Sequence, residues 1–259
     1  MTHAPTEQLA DRLIHFAQSN ETLAVLTGAG VSAASGIPTF RGEGGYWRKD
    51  SVVYKAQDIA TPETFAKDPE LVWAWYLYRR GICHRAEPNA GHQALVELEQ
   101  LLGDRFTLVT QNVDGLHRRA GNERLYEVHG NIDYCRQDGQ VLPMPDLPLK
   151  AKDTDLTDTE RQALKGKRPH ILWFGEQYDE DLYQAGTAFE TIHHADLVLV
   201  AGTSGAISMI QSVIAKTRGT VIEINTEASL IAELADYRLP GSSTQWLPWL
   251  VDQVSLGMM

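Results

Sequence analysis

The stretch TGAGVSAASGIPTFRG, residues 27–42, crowds glycine, alanine and serine together and then ends on Phe40 and Arg41. It closes the apolar run TLAVLT, and its Gly28, Gly30 and Ala33 fit the dinucleotide fingerprint GxGxxG/A. In that fingerprint the first glycine permits a tight turn, the second admits a pyrophosphate to the backbone, and the alanine allows close helix packing. A hydride-transferring enzyme would continue with a long helix, a second strand and an acidic residue about twenty positions on that holds a ribose hydroxyl. Here Ser35-Gly36-Ile37-Pro38 breaks the helix almost at once, and the nearest acid, Glu43, follows no strand pattern. Dinucleotide binding is therefore expected and hydride transfer is not. Two other places carry chemistry. His129, in EVHGN, ends a further apolar run; an imidazole titrating near neutrality suits a proton acceptor, while a strand-end histidine can also be purely structural. Tyr76 and Arg79 stand three apart, on one face of a helix. A guanidinium beside a phenol is a sound carboxylate receptor, the alternative being an aromatic core face with a solvated Arg79-Arg80 end.

The elements that must position these groups can be read from the apolar runs. TLAVLT (22–27), FTLVT (106–110), LYEV (125–128), HILWF (170–174), DLVLVA (196–201) and TVIEI (220–224) are near-continuous rather than alternating, the pattern of strands buried on both faces of a parallel sheet. Helical patterns lie between them: EQLADRLIHFAQ with Thr6 as cap, AGHQALVELEQLLG opened by Asn89 and stopped at Gly103, and EDLYQAGTAFETIHH. The alternation predicts an α/β fold, a doubly wound, Rossmann-like parallel sheet of about six strands. Each run ends in a polar or glycine-bearing loop: Gly28-Ala29-Gly30, Gln111-Asn112, His129-Gly130, Gly175-Glu176, Gly202-Thr203-Ser204 and Asn225-Thr226-Glu227. The carboxyl ends of parallel strands share one edge, so these loops converge on one crevice.

Two stretches break the alternation. Residues 42–84 begin with GEGGYWRKD and end in a helix that Asp68 caps and Pro69 opens, and residues 131–168 contain VLPMPDLPLK and a helix over TDTERQALKGK. They are expected to form a smaller lobe inserted in a core of about 1–41, 85–130 and 169–259, within a single domain. The net charge of −11 disfavours a sequence-independent grip on nucleic acid or on an anionic membrane. Without a signal-peptide pattern or a membrane-length apolar run, a cytoplasmic protein is expected. The two cysteines, Cys83 and Cys135, form no CxxC and suggest neither a disulfide framework nor a metal site.

Taken in order, TGAGVSAASGIPTFRG, TQNVDGLH, EVHGN, WFGE, AGTS and INTE resemble the sirtuins, the NAD-dependent protein lysine deacylases, over nearly the whole chain. TPETFAKDPELVWAWYLYRR and EPNAGH resemble in particular the sirtuin-5-like class, which prefers acidic acyl groups. The resemblance implies that NAD is consumed and that the acyl group of an acylated lysine, on a protein or peptide, passes to ADP-ribose. It implies His129 as general base, Asn112 on the ribose or a positioning water, and Asp114 with the Ile37 and Val113 backbones on the nicotinamide carboxamide. Gly28, Ala29, Gly30, Ala33 and Gln111 would border the nucleotide, Phe40 would screen the reactive ribose carbon from water, and Arg41 would steady the loop or a phosphate. Gly202, Thr203 and Ser204 would meet phosphates; Asn225, Glu227 and Ser243 would meet the adenosine end. The backbone of Leu172, Trp173, Phe174, Gly175 and Glu176 would pair with the substrate peptide as an added strand. Tyr76 and Arg79 would read a succinyl, malonyl or glutaryl carboxylate, with Ala60 leaving room for the acyl chain.

The chain departs from that family in two respects, one being Ala34 where this class usually carries Glu, which nothing in the sequence explains. Most sirtuins carry zinc on two CxxC pairs after the HGN motif, whereas this sequence reads HGNIDYCRQDG with Cys135 alone, and His170, His193 and His194 have no ligand spacing. A lobe that folds without metal is expected. Other functions compatible with the motifs are a non-catalytic sensor that binds NAD or ADP-ribose, and mono-ADP-ribosyl transfer or NAD hydrolysis in the same cleft. The sequence does not fix the oligomeric state.

Overall fold

The computed structural model describes residues 4–39, 46–49, 52–152 and 154–259; Phe40 and Arg41, and the roles expected of them, lie outside the described residues. Its strands are β1 (Leu23–Thr27), β2 (Tyr46–Lys49), β3 (Val52–Lys55), β4 (Phe106–Thr110), β5 (Leu125–Glu127), β6 (Gly130–Gln137), β7 (Gln140–Pro143), β8 (Arg168–Ile171), β9 (Leu197–Ala201), β10 (Thr220–Asn225) and β11 (Tyr237–Pro240). The helices are α1 (Ala4–Ala17), α2 (Ala56–Ile59), α3 (Pro62–Lys67), α4 (Pro69–Arg85), α5 (Ala90–Leu102), α6 (Leu116–Ala120), α7 (Asp158–Leu164), α8 (Glu180–Tyr183), α9 (Ala185–His194), α10 (Ser208–Lys216) and α11 (Ser243–Met258).

A six-stranded sheet runs in the order β11-β10-β9-β1-β4-β5, with every pairing parallel. Alternate residues of β1 explain its unbroken apolar run. Leu23 and Val25 pack with Leu9, Phe16, Leu98 and Val254 of α1, α5 and α11, while Ala24 and Leu26 pack with Ala188, Ile192 and Ile210 of α9 and α10. Both faces are covered, as a doubly wound sheet requires. The chain moves from β1 to β4 on one side and places β9 on the other, so the order reverses at β1, where such sheets bind ligands. Among the described residues no helix is long and apolar enough to cross a membrane.

Two strand assignments differ from the sequence reading. HILWF does not join the parallel sheet: β8 pairs antiparallel with β6, Gly130 opposite Ile171 and Arg136 opposite Arg168. Ile171 and Trp173 face the small-lobe core, buried with Trp75, Tyr76 and Leu77 of α4, while Phe174 is exposed. The sixth parallel strand is instead β11, in which only Leu239 is buried. An edge strand needs little apolar surface, and Pro240 is tolerated there because one side has no ladder to feed. The expected helix at 180–194 is split at Gln184, whose φ is +50°, and α1 starts at Ala4 rather than at a Thr6 cap.

The small lobe gathers α2, α3, α4, α7 and the β7-β6-β8 sheet around one apolar cluster. Asp68 caps α4 through Leu71 N–H, with Pro69 as its first residue; Thr157 and Glu160 form a capping box on α7. Cys135 lies in the cluster among Leu142, Met144, Leu147, Leu156 and Leu164, and burial pushes its thiol pKa up. A buried ammonium ties the lobe together: Lys150 Nζ lies 3.2 Å from Glu160 and donates to the carbonyls of Thr154 and Asp155 at 2.9 and 2.8 Å. Gly81 of α4 lets the Lys150 carbonyl approach so closely that no Cβ would fit between them. Among the described residues, no three His, Cys, Asp or Glu side chains come together as a metal-ligand set.

Candidate functional site

Register builds the site. Thr27 stands opposite both Thr110 and Ala201, and Ala201 stands opposite Ile224. The ladder runs one step further, through Gln111 N–H to Thr27 O, Gly28 N–H to Ala201 O and Gly202 N–H to Ile224 O. Gly28, Gln111, Gly202 and Asn225 therefore lie side by side along the carboxyl edge. Val128 N–H bonds Thr110 O on the far side and brings His129 to the same edge.

The glycine loop is a short 3-10 helix, Ala29–Ser35, ended by Gly36 in the left-handed conformation. Its glycines make a close contact that the fingerprint did not foretell. A Cβ at Gly30 would lie 2.8 Å from Gly202, and one at Gly28 would lie 2.8 Å from the Thr203 side chain. Gly30 N–H also donates to Gly202 O at 2.8 Å. The small residues thus lock two strand-end loops together. Ala33 is exposed, so it makes no close helix packing.

Asn112 and Asp114 enter this loop from β4. Asn112 Nδ2 donates to Gly28 O at 3.1 Å and to Ser32 Oγ at 3.2 Å. Ser32 Oγ donates to Asp114 Oδ2 at 2.7 Å, and the other carboxylate oxygen accepts from Leu116 N–H at 2.9 Å. Burial raises the Asp114 pKa against the pull of these two hydrogen bonds. Each oxygen keeps a second lone pair with which to accept an amide hydrogen. Ile37 is buried beside this loop, its N–H reaching Ser32 O at 3.4 Å, and Val113 O is taken by Ile132 N–H at 2.9 Å. Ser32 and two buried histidines escaped the sequence reading. His92 Nδ1 accepts from Asn89 N–H, so its Nε2 carries the hydrogen that faces Ser32 Oγ at 3.5 Å; His117 Nε2 meets Thr27 Oγ1 at 3.0 Å. His117 closes TQNVDGLH and His92 closes EPNAGH, yet only the tertiary contacts show what these side chains bond.

Gln111 Nε2 bonds Thr203 Oγ1 at 3.1 Å and Asn225 Nδ2 bonds Thr203 O at 2.8 Å, joining β4, β9 and β10 across the edge. Ser204 O accepts from Leu230 N–H at 3.1 Å. Ser243 is buried in the first turn of α11, and Glu227 is exposed. The amides and hydroxyls of these residues are neutral hydrogen-bonding groups of the kind that sugars and phosphates pair with.

His129 is half-buried. Its Nδ1 lies 2.9 Å from Gln111 O, and a carbonyl only accepts, so Nδ1 carries the hydrogen. Burial lowers its pKa to about 4, and the neutral ring therefore presents a lone pair at Nε2. Tyr178, which no motif singled out, places its hydroxyl 2.8 Å from that nitrogen.

On the lobe side, Tyr76 is buried and accepts from Trp173 Nε1 at 2.9 Å, which leaves its own O–H hydrogen to donate. Arg79 lies over the Trp75 ring at 5.2 Å, and Phe174 N–H bonds the carbonyl of buried Ala60 at 2.9 Å. These residues share one corner. In the 172–176 segment, Leu172 N–H bonds His129 O and Glu176 N–H bonds Trp173 O, while Trp173 N–H bonds the Glu176 carboxylate. That leaves Gly175 N–H and neighbouring carbonyls as the groups an added strand could pair with.

Comparison with known proteins agrees with this geometry. Residues 28–209 match the model of the Sir2 family. The chain is 42% identical over 239 residues to an NAD-dependent protein deacylase of Leptospira interrogans, covering 90% of this chain and 93% of that one. It is 37% identical over 271 residues to the NAD-dependent protein deacylase sirtuin-5, mitochondrial, of Danio rerio, covering 94% and 86%. A Sir2 homolog–NAD complex superposes with a TM-score of 0.79 at 36% identity, over 98% of this chain and 95% of that one. The chain belongs to the Sir2 family.

Proposed function

We infer that this protein is an NAD-dependent protein lysine deacylase that uses His129 as its base. Bound NAD would supply the electrophilic ribose carbon, which would accept the acyl oxygen as nicotinamide leaves. The observation that carries the reading is continuity along the sheet edge: the base ring hangs from Gln111 O, and the next residue, Asn112, bonds both Gly28 O and Ser32 of the glycine loop. Nε2, deprotonated at neutral pH, would accept a proton from a ribose hydroxyl. Asp114 would hold the carboxamide of the leaving group through its unused lone pairs. Asn112 has both amide hydrogens committed to protein, and its side-chain oxygen is the atom it would offer a hydroxyl or water. A protein substrate would enter along 172–176, where Phe174 is 47% exposed.

For the acyl group, an acidic acyl chain fits best. Tyr76 has a hydrogen to donate, Arg79 supplies charge next to it, and Ala60 keeps the corner open. Burial raises the Tyr76 pKa, so the phenol stays protonated and remains a donor. Acetyl has no carboxylate to offer this donor pair. The test compares matched acetyl- and succinyl-lysine peptides with wild type and Arg79→Met. Succinyl turnover should fall at least tenfold more than acetyl turnover; equal losses would remove the carboxylate receptor. The net charge of −11 supports a partner other than nucleic acid.

A further inference from the structure

The lone pair that makes His129 a base is already in use. Nδ1 holds its hydrogen against Gln111 O, so at the 2.8 Å contact Nε2 must accept and the Tyr178 hydroxyl must donate. The two rings lie nearly parallel, 26° apart with centroids at 5.7 Å, and the outer part of the phenol packs edge-on against Phe189 of α9 at 5.0 Å. Burial raises the Tyr178 pKa, so the phenol keeps its proton at neutral pH. An imidazole nitrogen has one lone pair and accepts one good hydrogen bond. A phenol and a ribose hydroxyl therefore cannot occupy it together.

We propose that Tyr178 is a positioning residue for the base: its hydroxyl stands at Nε2 in place of the ribose hydroxyl, and gives way when the nucleotide enters. This rests on the reading of His129 as base. The fold gives the exchange a mechanical setting. Glu176 is fixed by Arg168 at 2.7 Å and by Trp173 N–H at 2.8 Å, and Asp179 is fixed as the cap of α8 through Leu182 N–H at 2.8 Å. Between these anchors lie only Gln177 and Tyr178, so the phenol can turn aside while both anchors hold. In the ligand-free protein it satisfies an otherwise unpaired acceptor on a half-buried ring and sets the imidazole plane. The cost is competition with the nucleotide, of the order of one net hydrogen bond.

The test is the affinity of ADP-ribose, which carries the same ribose but cannot react, for wild type and Tyr178→Phe. The variant keeps the ring packing on Phe189 and removes only the donor. ADP-ribose should bind Tyr178→Phe about fivefold more tightly, the worth of a single net hydrogen bond, and kcat/KM for NAD should rise by a similar factor. Unchanged or weaker binding would overturn the proposal. So would a kcat reduced tenfold or more, which would make the phenol a proton carrier rather than a stand-in. In the wild-type protein, NMR signals of His129 Nε2 and Tyr178 Cζ should both move as ADP-ribose saturates the site; a stationary Tyr178 signal would refute the exchange even if the variant failed to fold. His129→Ala run in parallel separates the two claims. Turnover surviving in it would unseat the base itself, whereas turnover lost in it with unchanged ADP-ribose affinity in Tyr178→Phe would unseat only the role of Tyr178.

Discussion

Ser32 shows how one small side chain can organise a reaction centre. Its hydroxyl has a single hydrogen, given to Asp114, and lone pairs that face Asn112 and His92. Replacing it with alanine strands buried donors on both neighbours and strips one hydrogen bond from a buried carboxylate. Ser32→Ala is therefore expected to cost about 1–3 kcal/mol of stability and to lower NAD-dependent turnover with it. Chemical denaturation and steady-state kinetics check this, and a variant equal to wild type in both would contradict it. The serine lies inside the glycine-rich motif, yet the sequence offered no reason to prefer it over Ser35. Its partners are 60 and more positions away, and only the fold brings them together.

At the scale of elements, the paired loops after β1 and β9 matter more than either alone. Gly202 has φ +63°, and a Cβ there would lie 2.5 Å from Val31 N. Gly202→Ala would add left-handed strain of about 1–2 kcal/mol and, on top of it, force the two loops apart. The expected result is a larger loss of stability together with loss of NAD binding by calorimetric titration; retained affinity would show that the loops do not act as a unit. The sheet itself was largely legible, because strands buried on both faces must be apolar throughout. β8 and β11 were not. HILWF is as apolar as a central strand because Ile171 and Trp173 face a second core, whereas YRLP buries only one leucine. Burial, not strand partner, is what an apolar run encodes. The glycines were legible as points of close approach, but the partner the structure supplies at Gly30 is another backbone turn. Tyr178 carried no signal at all, since its importance lies in a single contact across the fold.

At the scale of the whole molecule, an acid-sensitive fold follows from four neutral histidines, three of them buried and His129 half-buried. Burial lowers His92, His129 and His170 to about 4, and His117 well below its ordinary value. Between the ordinary pKa near 6.5 and these lowered values, the unfolded chain binds the extra protons, so stability falls as pH falls. Each fully effective group contributes up to about 1.4 kcal/mol per pH unit in that window. Asp114, with its raised pKa, acts in the opposite sense, one group against four. Urea unfolding at pH 7 and pH 5 should show a clear loss at the lower pH, and a flat or rising profile would contradict it. The same burial keeps His129, the proposed base, deprotonated at neutral pH, which would link the fold's acid sensitivity to its chemistry. The central claim is that one cleft couples cleavage of NAD to removal of an acyl group from lysine. Mass spectrometry of the protein incubated with NAD and a succinyl-lysine peptide tests it most directly. Nicotinamide, free-lysine peptide and acyl-ADP-ribose should appear in equal amounts, and none should appear with His129→Ala; nicotinamide released while the peptide keeps its acyl group would contradict the account.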